Sequence, residues 1–121
     1  MLRAAALAML GLAFLACGGQ PAAPRPTMNV TIGRATAQKY RCTDCHTIGG
    51  YGATYGPDIT RAWQRFVRRA GGDEEVARSS MLAFLQHPPN ATIDRRQMPD
   101  FRMTPAEAGA VVDYLRWTAS R

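Results

Sequence analysis

Five consecutive positions, Cys42-Thr43-Asp44-Cys45-His46, constrain this 121-residue chain more than any other feature. Two thiols three positions apart can reach one edge of a flat macrocycle. An imidazole directly after the second thiol can then swing beneath the ring and ligate a central iron. The order Cys-x-x-Cys-His therefore reads as covalent attachment of a c-type haem, through Cys42 and Cys45, with His46 on the iron. Two other chemistries use paired cysteines. A thioredoxin-like site belongs within a βαβ pattern, and no segment here alternates cleanly enough to suggest a sheet. A structural zinc site wants a second pair of ligands, whereas His87 is the only other histidine in the chain. A chain of this length makes one domain with a modest core, and a single haem would supply a large apolar body for short helices to pack around.

The residues after the motif suit that reading. Gly49 to Asp58 holds four glycines and a proline, which excludes a regular element and predicts a loop. A ligating histidine needs a partner for its other ring nitrogen, commonly a backbone carbonyl, to fix its tautomer and orientation. Pro57 lacks an N–H but keeps a free carbonyl, and is the candidate for that role. The ligand on the opposite face of the iron has to come from further along the chain, from Met81, His87, Met98 or Met103. Met81 falls within Val76 to Leu85, where Ala77, Met81, Phe84 and Leu85 recur at helical spacing, so it reads as core. Met103 abuts Thr104-Pro105-Ala106-Glu107, a capping box with proline at the first helical position, and reads as a staple against that helix. Met98 stands in a polar loop, between Arg95-Arg96-Gln97 and Pro99, without a periodic apolar partner. Ligation gives it a reason to be there, and it is the expected distal ligand. With two strong ligands the iron is a carrier of single electrons; an open position would instead suit a gas sensor or a small enzyme.

Two helices frame this site. The stretch from Thr31-Ile32-Gly33 to Lys39 contains no breaker, and Gly33 would let another helix approach closely. From Pro105 to about Ala119, Ala108, Val111, Val112 and Leu115 trace an i, i+3, i+4, i+7 stripe broadened by Tyr114 and Trp117. That face is expected to cover the haem and to meet Gly33.

The formal charge of +6 comes almost wholly from fourteen arginines, with Lys39 the one lysine. The basic residues are scattered, adjacent only at Arg68-Arg69 and Arg95-Arg96, and no nucleic-acid motif accompanies them. Nucleic acid is not an expected partner. The charge reads as a solvated surface or as a docking patch for an acidic protein.

The first residues read as an address. A short positive start, Met1-Leu2-Arg3, precedes the thirteen-residue apolar run Ala4 to Ala16. As a helix that run rises about 20 Å, short of a ~30 Å hydrocarbon core, and its length suits a secretory signal. Residues 1–16 are therefore expected to be a signal peptide. Phe14-Leu15-Ala16-Cys17-Gly18 resembles a bacterial lipoprotein cleavage box, in which Cys17 would become the first mature residue and carry lipid. Residues 17–28 then form the lipidated cysteine and a Gly/Pro/Ala-rich tether. Residues 29–121 form the haem domain, held outside the cytoplasm at the periplasmic or exterior face of a membrane. An uncleaved apolar anchor is the other reading of the same segment.

Together the pieces resemble a class I cytochrome c, and more narrowly the cytochrome c subunit of bacterial nitric oxide reductase. The resemblance runs from about Gly33 to Ser120. It is carried by the haem loop Cys42 to Ile59, with Gly50, Gly52, Ala53, Tyr55 and Pro57, by Arg95-Arg-Gln-Met-Pro-Asp-Phe101, and by Tyr114-Leu-Arg-Trp-Thr-Ala-Ser120. It implies an all-α fold of four to five short helices around one covalent haem c, with His46 proximal and Met98 distal. It also implies a non-catalytic role, taking electrons from a soluble donor protein and passing them to a membrane-bound catalytic partner with b haem. A shuttle serving other respiratory complexes from a lipid anchor is the alternative. Two departures stand out. The family usually carries a transmembrane helix where this chain has a short run ending in Cys17, and Ala37 stands near where many cytochromes c place an aromatic against the last helix.

Overall fold

The computed structural model describes residues 22–89 and 98–121. Cys17 with the apolar run before it, and Arg95, Arg96 and Gln97, lie outside the described residues. The described chain forms α1 (Met28–Lys39), a 3-10 turn over Cys42–Asp44, α2 (Ala62–Arg69), α3 (Glu74–Gln86) and α4 (Pro105–Ala119). The class is all-α, as the motif and the helical patterns require; among the described residues the only β pairing is an isolated bridge between Ile48 and Tyr51. No helix of the described residues is long and apolar enough to cross a membrane.

Each long helix begins on a side-chain cap, because the first four N–H groups of a helix have no partner within it. The α1 helix starts three residues ahead of the expected Thr31: the Thr27 hydroxyl accepts from Val30 N, and Thr31 N bonds back to Thr27 O. At α3 the Asp73 carboxylate accepts from Glu75 N and Val76 N, at 2.9 and 3.1 Å. The capping box at α4 is complete, with Thr104 Oγ1 accepting from Glu107 N at 3.2 Å and Glu107 Oε2 accepting from Thr104 N at 3.0 Å. Caps of this kind contribute about 1 kcal/mol each.

The α1–α4 pair is the principal packing of the fold, with α2 and α3 laid against α4 and against each other. Ala108, Val111, Val112 and Leu115 are all at most 2% exposed, so the predicted stripe on α4 is the spine of the core. Ala77, Met81 and Leu85 join it from α3, and Met103 is buried in the same cluster. Phe84, predicted on the same α3 face, sits instead at the margin, edge-on to Phe66 of α2 with ring centroids 6.1 Å apart. Gly33 lies at the helix crossing: a Cβ there would overlap the carbonyl of Ala110 and press on the Cβ of Tyr114, so only glycine allows the two backbones to approach this closely. Asp113 ties three helices together, accepting from Arg78 at 2.6 Å on α3 and from Asn29 on α1.

A second junction joins the end of α1 to the start of α4. Glu107 accepts from Lys39 Nζ at 2.6 Å and from the Tyr40 hydroxyl at 3.0 Å, while also closing its own capping box. The Tyr40 ring stacks at a tilt on Phe101, 5.4 Å between centroids, while its hydroxyl reaches α4 at Glu107. Hydrogen bonds from Lys39, Thr104 and Tyr40 hold the Glu107 carboxyl down to about 2. A depressed carboxyl stabilises the fold above its ordinary value of 4.5 and loses that contribution as pH falls toward and through about 2. Glu107→Gln is therefore expected to be less stable than the parent near neutrality, with the gap closing as pH falls from about 4.5 to 2. Guanidinium unfolding curves across that range measure it, and a gap independent of pH refutes the assignment.

Candidate haem site

The chain leaves α1 through Arg41, whose left-handed backbone (φ 57°) breaks the helix and turns it into the Cys42–Asp44 turn. A non-glycine residue in this region costs about 1–2 kcal/mol, and here the Arg41 guanidinium also reaches Asp44 Oδ2 at 2.6 Å. His46 N and Cys45 N both bond to Cys42 O, at 2.9 and 3.3 Å, so the three motif side chains leave one tight turn. Both thiols are free. Cys42 is buried, and burial pushes its thiol above the ordinary range, while Cys45 is exposed.

The glycine-rich loop is laced back onto the motif bond by bond. Ala53 N donates to Thr43 O at 2.9 Å, Gly56 N to Cys45 O at 2.7 Å and Ile59 N to Thr47 O at 3.0 Å. Thr47 Oγ1 donates to Ala53 O, and Gly49 N donates to Thr60 Oγ1. A tight turn at Gly49-Gly50, both at positive φ, reverses the chain between Ile48 and Tyr51. The result is a rigid bracket around the imidazole. His46 Nδ1 lies 2.8 Å from Pro57 O. A carbonyl can only accept, so Nδ1 carries the proton and Nε2 keeps its lone pair free for a metal.

Gly56 makes room for this ring. A Cβ at Gly56 would stand 2.6 Å from His46 Nδ1 and closer still to Cε1, so any side chain would evict the imidazole from its place against the backbone. Gly52, at φ 115°, similarly passes over the carbonyls of His46 and Thr43. The donor set and the cradle suit a c-type haem: two free thiols, one exposed and one buried, and an imidazole locked in the Nε2-ligating tautomer.

The four candidates for the other axial position fall in different environments. Met81 and Met103 are 3% and 4% exposed within the core. His87 is exposed and forms the C-cap of α3. Met98 is half-buried and packs on the edge of the core, on the segment that leads through Phe101 to Met103. Neither the helix α2 nor the Tyr40–Glu107 junction is among the features expected from the sequence. For α2 the sequence does carry a signal, since arginines at 61, 65, 68 and 69 alternate with Ala62, Trp63, Phe66 and Val67 at helical spacing.

An all-α domain closed around this motif defines a haem-binding electron-transfer protein, and the chain belongs to the cytochrome c family: the family model for cytochrome c matches residues 30–119. A cytochrome c domain implies covalently bound haem c. Among curated proteins the chain is similar to the C subunit of nitric oxide reductase from Halomonas halodenitrificans, 35% identical over 94 residues, covering 76% of this chain and 60% of that protein. It is similar also to the proteins of the same name from Paracoccus denitrificans, 31% identical over 94 residues (78% and 61% of the two chains), and Cereibacter sphaeroides, 29% identical over 94 residues (78% and 63%). The chain thus spans about 60% of the length of the first of these relatives.

Gly56→Ala is expected to displace the imidazole and break the bond to Pro57, costing the holoprotein about 1–3 kcal/mol of stability. Thermal unfolding together with the ring-proton NMR signals of His46 tests this, and unchanged stability and signals would mean that Gly56 does not position the ring.

Proposed function

We propose that this protein is a monohaem electron carrier through which electrons enter a nitric oxide reductase or a related complex of the haem–copper oxidase type. Cys42 and Cys45 would hold the haem through thioether bonds, and His46 Nε2 and the Met98 thioether would supply its iron ligands. When bound, haem c supplies a one-electron iron couple. The chain's own residues decide what that couple is used for. The Pro57 carbonyl holds His46 in one tautomer and makes its Nε2 a better donor. The bracket of loop hydrogen bonds holds the imidazole in one orientation, which would limit its reorganisation on electron transfer. A thioether from Met98 would favour the electron-rich ferrous state and raise the potential. It would also leave no open position for a gas or substrate.

The observation that carries the haem reading is the His46–Pro57 bond over Gly56, a geometry built to hold a ligand still. The carrier reading rests on Met98 as the second ligand and on membership of the cytochrome c family. The assignment to a reductase rests on the resemblance of the haem loop and closing helix to the cytochrome c subunit of nitric oxide reductase. In this reading the protein carries out none of the nitric oxide chemistry. It takes electrons from a soluble redox protein and hands them to a membrane-bound partner with b haem. Export and attachment through lipid on Cys17 would hold it at the outer face of the membrane. The short Ala4–Ala16 run favours a second form of the same reading, a tethered shuttle that visits more than one complex.

Purification from detergent-solubilised membranes distinguishes the two. A stoichiometric multi-span subunit with b haem is expected to accompany a fixed subunit; isolation of the cytochrome alone makes it a shuttle. For the ligand set, Met98→Ala is expected to lower the potential, to lose the sulfur-to-iron charge-transfer band and to let the reduced protein bind carbon monoxide. An unchanged spectrum, or ready carbon monoxide binding by the parent at neutral pH, rejects Met98 as ligand.

A further inference from the structure

The sharpest segregation of charge among the described residues lies on α2, whose first arginines, Arg61 and Arg65, border the haem loop at Gly50, Asp58 and Thr60. Arg61, Arg65, Arg68 and Arg69 fall at i, i+4, i+7 and i+8, which at about 100° per residue places them on one arc roughly 100° wide. From first to last they span about 12 Å. The opposite arc is buried: Ala62 and Trp63 are 5% and 7% exposed, and Phe66 and Val67 pack against the core. The four ion pairs of the described residues engage Lys39, Arg41, Arg78 and Arg116, none of them from this arc. One carboxylate borders it. Asp58 accepts from Thr60 N at 2.8 Å, and Arg65 donates to the Asp58 backbone carbonyl at 2.9 Å. The Asp58 carboxylate offsets part of the charge of Arg65 and Arg61 while leaving that of Arg68 and Arg69 at the far end of the helix. Four positive charges on two turns of helix repel one another, and a counter-charge from outside relieves them.

We propose that this arginine face of α2 docks on the anionic phospholipid headgroups of the membrane to which the chain is tethered. The occupant follows from what the face lacks. Protein interfaces concentrate their energy on apolar and aromatic anchors at the centre of the patch. Here Ala62 and Trp63 are buried and Phe66 and Val67 are partly buried against the core, so the arc itself presents guanidinium groups, whose forked donors match phosphate oxygens. A surface of headgroups needs no apolar anchor and tolerates a row of charges in any register. The attachment also has a use. Lipid on Cys17 would hold the domain near the bilayer through a flexible tether but leave its orientation free, and a basic patch attracted to anionic headgroups fixes it. With the Gly18–Pro26 tether as the first connection and the α2 face as the second, the domain would rest on the bilayer in one orientation. The inference depends on the membrane-side location proposed above, but not on the identity of the electron acceptor.

The test uses the full-length holoprotein with vesicles of phosphatidylcholine alone and of phosphatidylcholine mixed with phosphatidylglycerol. The N-terminal anchor, whether lipid on Cys17 or an uncleaved apolar run, contributes to both, so the difference between them reads the arginine face. The parent is expected to prefer the anionic vesicles at least about tenfold at low ionic strength, on the order of what several basic residues supply, and to lose the preference in high salt. Combining Arg61→Gln, Arg65→Gln, Arg68→Gln and Arg69→Gln is expected to abolish the preference, while the four corresponding lysine substitutions keep most of it. The pair Arg68→Gln and Arg69→Gln, exposed and on the far side from Asp58, is expected to give an intermediate loss and serves if the fourfold variant does not fold. A parent indifferent to phosphatidylglycerol, a preference that survives the glutamine substitutions, or one lost in the lysine variant overturns the proposal. A parent that ignores the anionic vesicles but binds polyglutamate through the same arginines would assign the face to an acidic protein instead. Co-purification of a multi-span subunit is read separately, so either result can fail without the other.

Discussion

The hydrogen bond from His46 Nδ1 to the Pro57 carbonyl is a short contact across eleven residues, and much of the molecule is arranged to make it possible. It needs a proline that offers a carbonyl without a competing N–H, and a glycine at 56 that lets the imidazole lie against the backbone. It needs a loop returning to the turn that bears both cysteines. Each of those needs is met by further backbone bonds, from Ala53 to Thr43, Gly56 to Cys45 and Ile59 to Thr47. The loop has no regular secondary structure, yet backbone bonds tie it down along its length. A free imidazole would sample two tautomers and several rotamers; this one has its proton and its direction assigned before any metal arrives.

The helices serve that bracket by fixing both of its ends. Upstream, α1 delivers the chain to Arg41 and the cysteine turn, and its position against α4 is set where Gly33 crosses Ala110. Downstream, α2 and α3 pack on α4 and carry the chain away from Ile59. The Glu107 junction matters because it binds Lys39 and Tyr40, the last residues before the turn, to the first turn of α4. One carboxylate thereby closes a helix cap and pins the approach to the cysteines. Met98 reaches the edge of the same core through the segment that runs into Phe101, whose ring meets Tyr40. The Met98–Met103 segment and the cysteine turn are joined through aromatic and ionic contacts at one end of the α1–α4 pair.

The domain therefore has two faces with different physics. At the haem loop the chain is dense with backbone hydrogen bonds and fixed glycines, and its chemistry is one of position. On α2 the chain presents arginines only partly offset by Asp58 on a helix that is apolar underneath, and its chemistry is one of attraction. In the sequence, the general excess of arginine makes the whole surface look uniformly basic. Folding separates the arginines that are already paired, such as Arg78 and Arg116, from those left facing outward.

Much of this is legible in the residues alone. Cys42-x-x-Cys45-His46 specifies a covalent haem because the reach of two thiols and a following imidazole is local geometry. Thr104-Pro105-x-Glu107 and the Ala108–Leu115 stripe specify α4 because caps and periodicity act over a few residues. The start of α1 is less clear, since a lone Thr27 beside a Pro-rich tether gives a weaker signal than a full capping box. Only the tertiary structure shows that Gly33 fits against Ala110, that Gly56 lies under the imidazole, and that Lys39 and Tyr40 share the Glu107 carboxylate. These pairings join residues up to 77 positions apart, and nothing in a local pattern states which small residue will face which neighbour. The motif determined by itself that the chain should hold a haem; the packing of α1 on α4 and the return of the loop to Pro57 decided how rigidly the histidine would be presented to it.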